Sequence, residues 1–153
     1  MGGPDQGADP YRLERFVAAQ DAGATFGRAV AELRAGRKVS HWMWFVFPQI
    51  AGLGRSATAR EFAISSLGEA RAYLRHPVLG PRLAESARAL TGVAGRSAEQ
   101  IFGSLDAQKL RSSMTLFLRA EGADAGDAGS PFAQVLRQYF DGQPDPATDR
   151  LLS

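Results

Sequence analysis

Two short segments carry most of the side chains able to bind or react. In "SHWMWFVFPQIAGLGRS" (40–56) a histidine, two tryptophans and a glutamine precede a glycine-rich turn with Arg55 and Ser56. In "KLRSSMTLF" (109–117) Lys109, Ser112 and Ser113 recur at i, i+3 and i+4, the spacing of one helical face. Such residues suit an anionic ligand with a ring. Trp42 or Trp44 would stack on the ring, Arg55 and Lys109 would hold the charge, and Gln49, Ser112 and Ser113 would orient it. A helix beginning near Ser56 adds free amides and a dipole that favour an anion. His41 is the general-base candidate beside the aromatic segment, and Asp106 and Glu61 are acids in or next to the two segments. No nucleophile elbow, phosphate-binding loop or readable carboxylate pair appears, so the sequence assigns no reaction.

Each feature also has a plainer role. Aromatic clusters more often form core than ligand boxes, paired serines let helices approach closely, and an arginine in a turn is commonly solvated. "GLGRSA" from Gly52 matches the glycine fingerprint of dinucleotide-binding folds. That motif needs a strand running straight into its first glycine and a βαβ unit around it; Pro48-Gln49 intervenes here and helices follow, so the match is a decoy.

Composition narrows the classes. The 153 residues fit one domain, and 44% hydrophobic with 22% charged residues excludes global disorder. A net charge of +2 is too small to call for a nucleic acid or a membrane, and the basic "RAGRK" (34–38) complements a helix end unaided. There is no Cys, which excludes disulfides, thiolate metal sites and a Cys nucleophile within the chain. His41 and His76 are far apart, no metal-ligand spacing is visible, and no metal or cofactor is expected. No apolar run approaches the ~18–20 residues of a membrane span. The N-terminus lacks the pattern of a secretory signal, and Gln6 argues against myristoylation of Gly2. The expected location is cytoplasmic. Lysine occurs only at positions 38 and 109, so a lysine in a pocket would be no accident of composition.

The elements that must position these groups read as helices. Residues 1–8 form a flexible lead, and 9–152 a single compact multi-helix domain, all-α. Asp9-Pro10 opens the first helix, with Leu13, Phe16, Val17 and Gln20 on one face. Phe26, Ala29, Val30 and Leu33 mark a second that Gly36 ends. Ser66 with Glu69 and Ser97 with Gln100 signal capping boxes. Leu83, Ala87 and Leu90 stripe another helix, and Leu110, Met114 and Phe117 the longest. Ser130-Pro131 and Asp145-Pro146 start the last two, and the Gly/Asp-rich segment 121–130 reads as a mobile loop. "VSHWMWFVF" could be a buried strand, but nothing else offers it a strand partner. A short buried helix over His41–Phe47, capped by Ser40 and stopped by Pro48, is therefore predicted.

Taken in order, "DPYRLERFVAAQ", "AELRAGRKVSHWMWFVFPQIAGLGRS", "EARAYLRHPVLGPRL", "IFGSLDAQKLRSSMTLF" and "FAQVLRQYFDGQPDPATDRLL" resemble the domain of unknown function 1810 family over about Asp9 to Leu152. The resemblance implies a small, stand-alone, mostly bacterial, largely helical protein with no settled activity. His41, Trp42, Gln49, Lys109, Ser112 and Ser113 match its hallmark positions. A calpastatin-like label used for some members does not suit a chain with the composition of a packed domain. Two functions remain open. One is a domain that binds an anionic small molecule, such as a nucleotide or ADP-ribose derivative. The other is a non-enzymatic interaction module or homodimer whose signature residues form a buried polar network.

Overall fold

The Asp9 carboxylate accepts hydrogen bonds from the amides of Leu13 (2.7 Å) and Glu14 (3.0 Å). It therefore acts as the predicted cap, but one turn late. Arg12 adopts φ 53°, which an α-helix cannot contain, so α1 runs Glu14–Asp21 rather than from Pro10. The computed structural model describes residues 8–122 and 129–153. The predicted lead at 1–8 (all but Ala8) and most of the predicted loop at 121–130 lie outside the described residues.

A 3₁₀ turn, Ala22–Ala24, links α1 to α2, Thr25–Ala35. Gly36 ends α2 in the left-handed conformation, φ 72°, with its amide donating to the Glu32 and Leu33 carbonyls. The aromatic segment forms only α3, Met43–Val46. The predicted helix from His41 is shortened because Glu32 of α2 captures the chain before it. Its carboxylate accepts from the Val39 amide (2.8 Å), the Ser40 amide (2.9 Å), Ser40 Oγ (2.6 Å) and Trp42 Nε1 (2.9 Å). Ser40 is thus a donor to Glu32 and caps nothing.

Next come α4, Ala57–Glu61, capped by Ser56, and α5, Leu67–Arg75, capped by Ser66. Only half of the Ser66/Glu69 capping box forms. The Glu69 carboxylate turns instead to the Ser65 amide and hydroxyl and to Arg15, 3.1 Å away. α6 is Leu79–Thr91, and Gly80 lets it meet α5, since a Cβ there would stand 2.1 Å from the Leu74 carbonyl oxygen. α7, Ala98–Phe102, carries the complete Ser97/Gln100 capping box. α8, Ser104–Glu121, is the central helix. It packs against α5, α7, α9 (Pro131–Phe140) and α10 (Pro146–Leu152).

The predicted stripes Leu83/Ala87/Leu90 and Leu110/Met114/Phe117 are all buried in one continuous core. The fold is all-α and forms a single compact domain. Among the described residues the one β-type pairing is an isolated parallel bridge between Ile50 and Ile64, which pins the segment after α3 beside the start of α5. No helix among them is long and apolar enough to cross a membrane.

Candidate functional site

The bridge at Ile50 holds Gln49 and the glycine-rich turn in front of α4, and Trp44 projects from α3 beside them. Opposite stands the first half of α8, with the start of α10 behind it. A cleft of two connected lobes lies between. The inner lobe, about 210 Å³, is the more enclosed, with Ile50, Ala51, Phe62 and Ala63 in its wall. The outer lobe, about 380 Å³, is lined by Leu53, Arg55, Ser56, Leu105, Lys109 and Ser112, among others. Trp44, Gln49, Gly54 and Ala59 belong to both and form the neck. Gly54 is required there, because a Cβ would meet that of Ala59 at 2.5 Å.

Lys109 stands 4.2 Å over the centre of the Trp44 ring, a cation–π contact. Trp44 lines both lobes, Lys109 only the outer one. Lys109 Nζ also lies 3.0 Å from Asp106 Oδ1, while Asp106 Oδ2 lies 2.9 Å from Lys38, itself 5.2 Å over the ring of Trp42. Both lysines and both tryptophans of the chain thus meet around one carboxylate. Burial pushes the Asp106 carboxyl up, but hydrogen bonds from Lys38 and Lys109 and their charges outweigh it and hold the pKa below the usual range. One anion between two cations leaves a surplus of positive charge at the cleft wall.

Several groups in the cleft are unused. Among the described residues the Trp44 indole N–H, the Gln49 side-chain amide and the Arg55 guanidinium have no hydrogen-bonding or ionic partner. The lining carboxylate of Asp145, by contrast, is saturated. It caps α10 through the Thr148 amide (3.1 Å), and accepts from Thr148 Oγ1 (2.6 Å) and Gln108 (3.1 Å). Ser112 Oγ shares its proton between Asp145 (3.0 Å) and the Gln108 carbonyl (3.1 Å).

Six of the residues read from the sequence therefore share one cleft: Trp44, Gln49, Arg55, Ser56, Lys109 and Ser112. Two of these differ from expectation in role. The Ser56 hydroxyl accepts from the Ala59 amide, 3.1 Å away, and caps a helix of only five residues. Ser112 serves the Asp145 network. Three further candidates lie elsewhere. Trp42 is fully buried between Phe47 and Phe102 with its N–H on Glu32, so it cannot stack on a ligand. Ser113 is fully buried inside α8, its Oγ without a partner. His41 is exposed and does not line the cleft, which leaves it without the base role beside Trp44. Of the two acids, Asp106 holds the lysines and Glu61 faces a neighbouring surface hollow.

Glu32 was missed, and so were the contacts of Lys38 with Asp106 and of Asp145 with Ser112. Each is an ordinary surface-type residue in its own helix or turn, and only its distant partners give it a role. No group of three or more His, Asp or Glu side chains among the described residues is placed to hold a metal ion.

The family model described as Protein of unknown function (DUF1810) matches residues 10–152. The chain is similar to a conserved hypothetical protein, Rv1873, from Mycobacterium tuberculosis, known from a crystal structure. The two share 52% identity over 94% of this chain and 98% of that one, with a TM-score of 0.86. No curated protein matches.

Proposed function

The chain belongs to the DUF1810 family, and we propose that it binds an anionic small molecule in the cleft beside Trp44, a nucleotide or ADP-ribose-like compound being the class that fits. The observation that carries this reading is the pairing of Lys109 with the Trp44 ring at 4.2 Å, in a cleft where Trp44 N–H, Gln49 and Arg55 lack partners. A ring lies in the inner lobe against Trp44, and Gln49 offers it one acceptor and two donors. The negative group lies in the outer lobe between Arg55 and Lys109, where charge-assisted hydrogen bonds are strongest. The lobes, about 210 and 380 Å³, suit a compact head and a charged tail.

A thermal-shift screen of nucleotides and sugar phosphates tests the proposal. A ligand at 100 times its Kd adds about 2.7 kcal/mol to stability, and Lys109→Ala should remove the shift. A second reading, an interaction module whose signature residues form buried polar networks, is favoured by one observation: Trp42 and Ser112 are indeed tied into such networks, through Glu32 and Asp145. A flat response across the screen, with concentration-dependent light scattering, would favour it.

A further inference from the structure

The described residues expose three large hydrophobic side chains: Leu105 at 80%, Val39 at 68% and Leu151 at 46%. The two leucines border the cleft. Leu105 lines the outer lobe of the cleft. Leu151 lies against Gly52 of the inner lobe's wall, where a Cβ would stand 3.3 Å from its side chain. A lone exposed leucine needs no explanation, but Leu105 joins Leu53 in the lining of the outer lobe, beside Arg55 and Lys109, and apolar surface inside a charged cleft marks a contact surface.

Chemistry is therefore divided between the lobes. Trp44 and Gln49 line both, whereas Arg55, Lys109, Leu53 and Leu105 line only the outer one. A free nucleoside monophosphate would use the aromatic and cationic groups and leave the leucines in water. We infer that the ligand is a nucleotide whose phosphate carries an apolar substituent, as in a phosphodiester or an acyl phosphate anhydride. The base lies on Trp44, the phosphate between Arg55 and Lys109, and the substituent over Leu53 and Leu105. The inference rests on the nucleotide reading of the cleft proposed above.

Charge points the same way. The ionised groups of the outer lobe, Arg55, Lys109 and Asp145, sum to one positive charge. That complements a substituted phosphate, which keeps one negative charge, better than a free monoester, which carries about −1.5 to −2. Arg60, the remaining cation, sits at the margin of the inner lobe and also faces a neighbouring surface hollow.

The test is calorimetric titration of the wild-type chain with four nucleoside 5′-monophosphates, then with the n-hexyl ester of whichever binds best. The ester should bind at least tenfold tighter, a gain that needs burial of only roughly 55 Å² of apolar surface at ~25 cal/mol per Å². Leu105→Ser, a change at an exposed site, should cost the ester at least fivefold more than it costs the parent nucleotide. An ester that binds no tighter than its parent overturns the inference. So does a Leu105→Ser variant that weakens both ligands equally, or a wild-type dimer that the same substitution dissociates, because a second copy would then be what covers the leucines. Failure of the underlying reading looks different: no monophosphate and no ester binds, or Lys109→Ala leaves every affinity unchanged, and the inference falls with it.

Discussion

Trp42 and Trp44 stand two residues apart in the same aromatic segment, and each has a lysine over its ring. Trp42 is sealed in the core with its N–H on Glu32, and its lysine, Lys38, is nearly buried. Trp44 is partly exposed with its N–H free, and its lysine, Lys109, faces a cleft. Asp106 joins the two lysines, so the closed half and the open half form one unit. The difference teaches what satisfies a buried polar aromatic. Trp42 needs an internal acceptor because no water reaches it, and the fold supplies one from the previous helix. Trp44 keeps its donor, and Gln49 its amide, without a protein partner because both are partly exposed at the cleft, where water reaches them. The closed half supports stability; the open half is where binding is proposed.

The contrast breaks most visibly on deletion. Trp42→Ala should destabilise the chain by about 3–5 kcal/mol in urea unfolding, the cost of emptying a core site. Trp44→Ala should cost about 1 kcal/mol, the scale of an ordinary substitution, while lowering affinity for a bound nucleotide at least fivefold through the lost stack. Comparable stability losses at both positions would contradict the division.

Glu32→Gln comes next, at about 2 kcal/mol, because four donors lose their charged acceptor. Burial pushes this carboxyl up, but the hydrogen bonds from Ser40, Val39 and Trp42 prevail and hold its pKa at about 2, against 4.5 in the unfolded chain. A pKa depressed on folding gives stability that is present above the unfolded value and lost as pH falls through the folded one. Wild-type stability should therefore decline from pH 4.5 toward pH 2, and Glu32→Gln should flatten that decline. An unchanged acid limb in the variant would sink the assignment.

Lys109→Ala should cost under about 1 kcal/mol of stability, since Asp106 retains Lys38, yet reduce nucleotide affinity about tenfold or more, measured by titration calorimetry. The smallest effect is expected of Arg55→Ala. Stability should stay within ~0.5 kcal/mol and affinity should fall severalfold, more steeply at low salt than at high salt because the contact is exposed.

The parts legible in the sequence were those with local signals. Ser56, Ser66, Ser97, Ser130 and Asp145 all cap the helices they precede. Gly36 ends its helix, and the apolar stripes of α6 and α8 are buried. The two chemical segments were also legible, because "HWMWFVFPQ" and "KLRSS" concentrate groups that cost stability when left unsatisfied, and six of their residues and neighbours meet in the cleft. What stayed hidden depends on partners distant in sequence. Nothing within α2 says that Glu32 turns inward toward a loop ten residues on. Nothing in periodicity tells Trp42 from Trp44, because α3 is a single turn whose orientation Glu32 and the Ile50–Ile64 bridge decide together. Ser112 looked like a ligand group because Asp145, which accepts its hydrogen bond, lies 33 residues away.

The central claim is that Trp44, and not Trp42, forms the ligand-binding wall. Tryptophan emission during a nucleotide titration reads this directly, with the wild-type chain compared with Trp44→Phe, which keeps Trp42 as its remaining tryptophan. Saturable quenching in the wild type that vanishes in Trp44→Phe is the predicted result. Quenching that persists undiminished from Trp42 alone would contradict it.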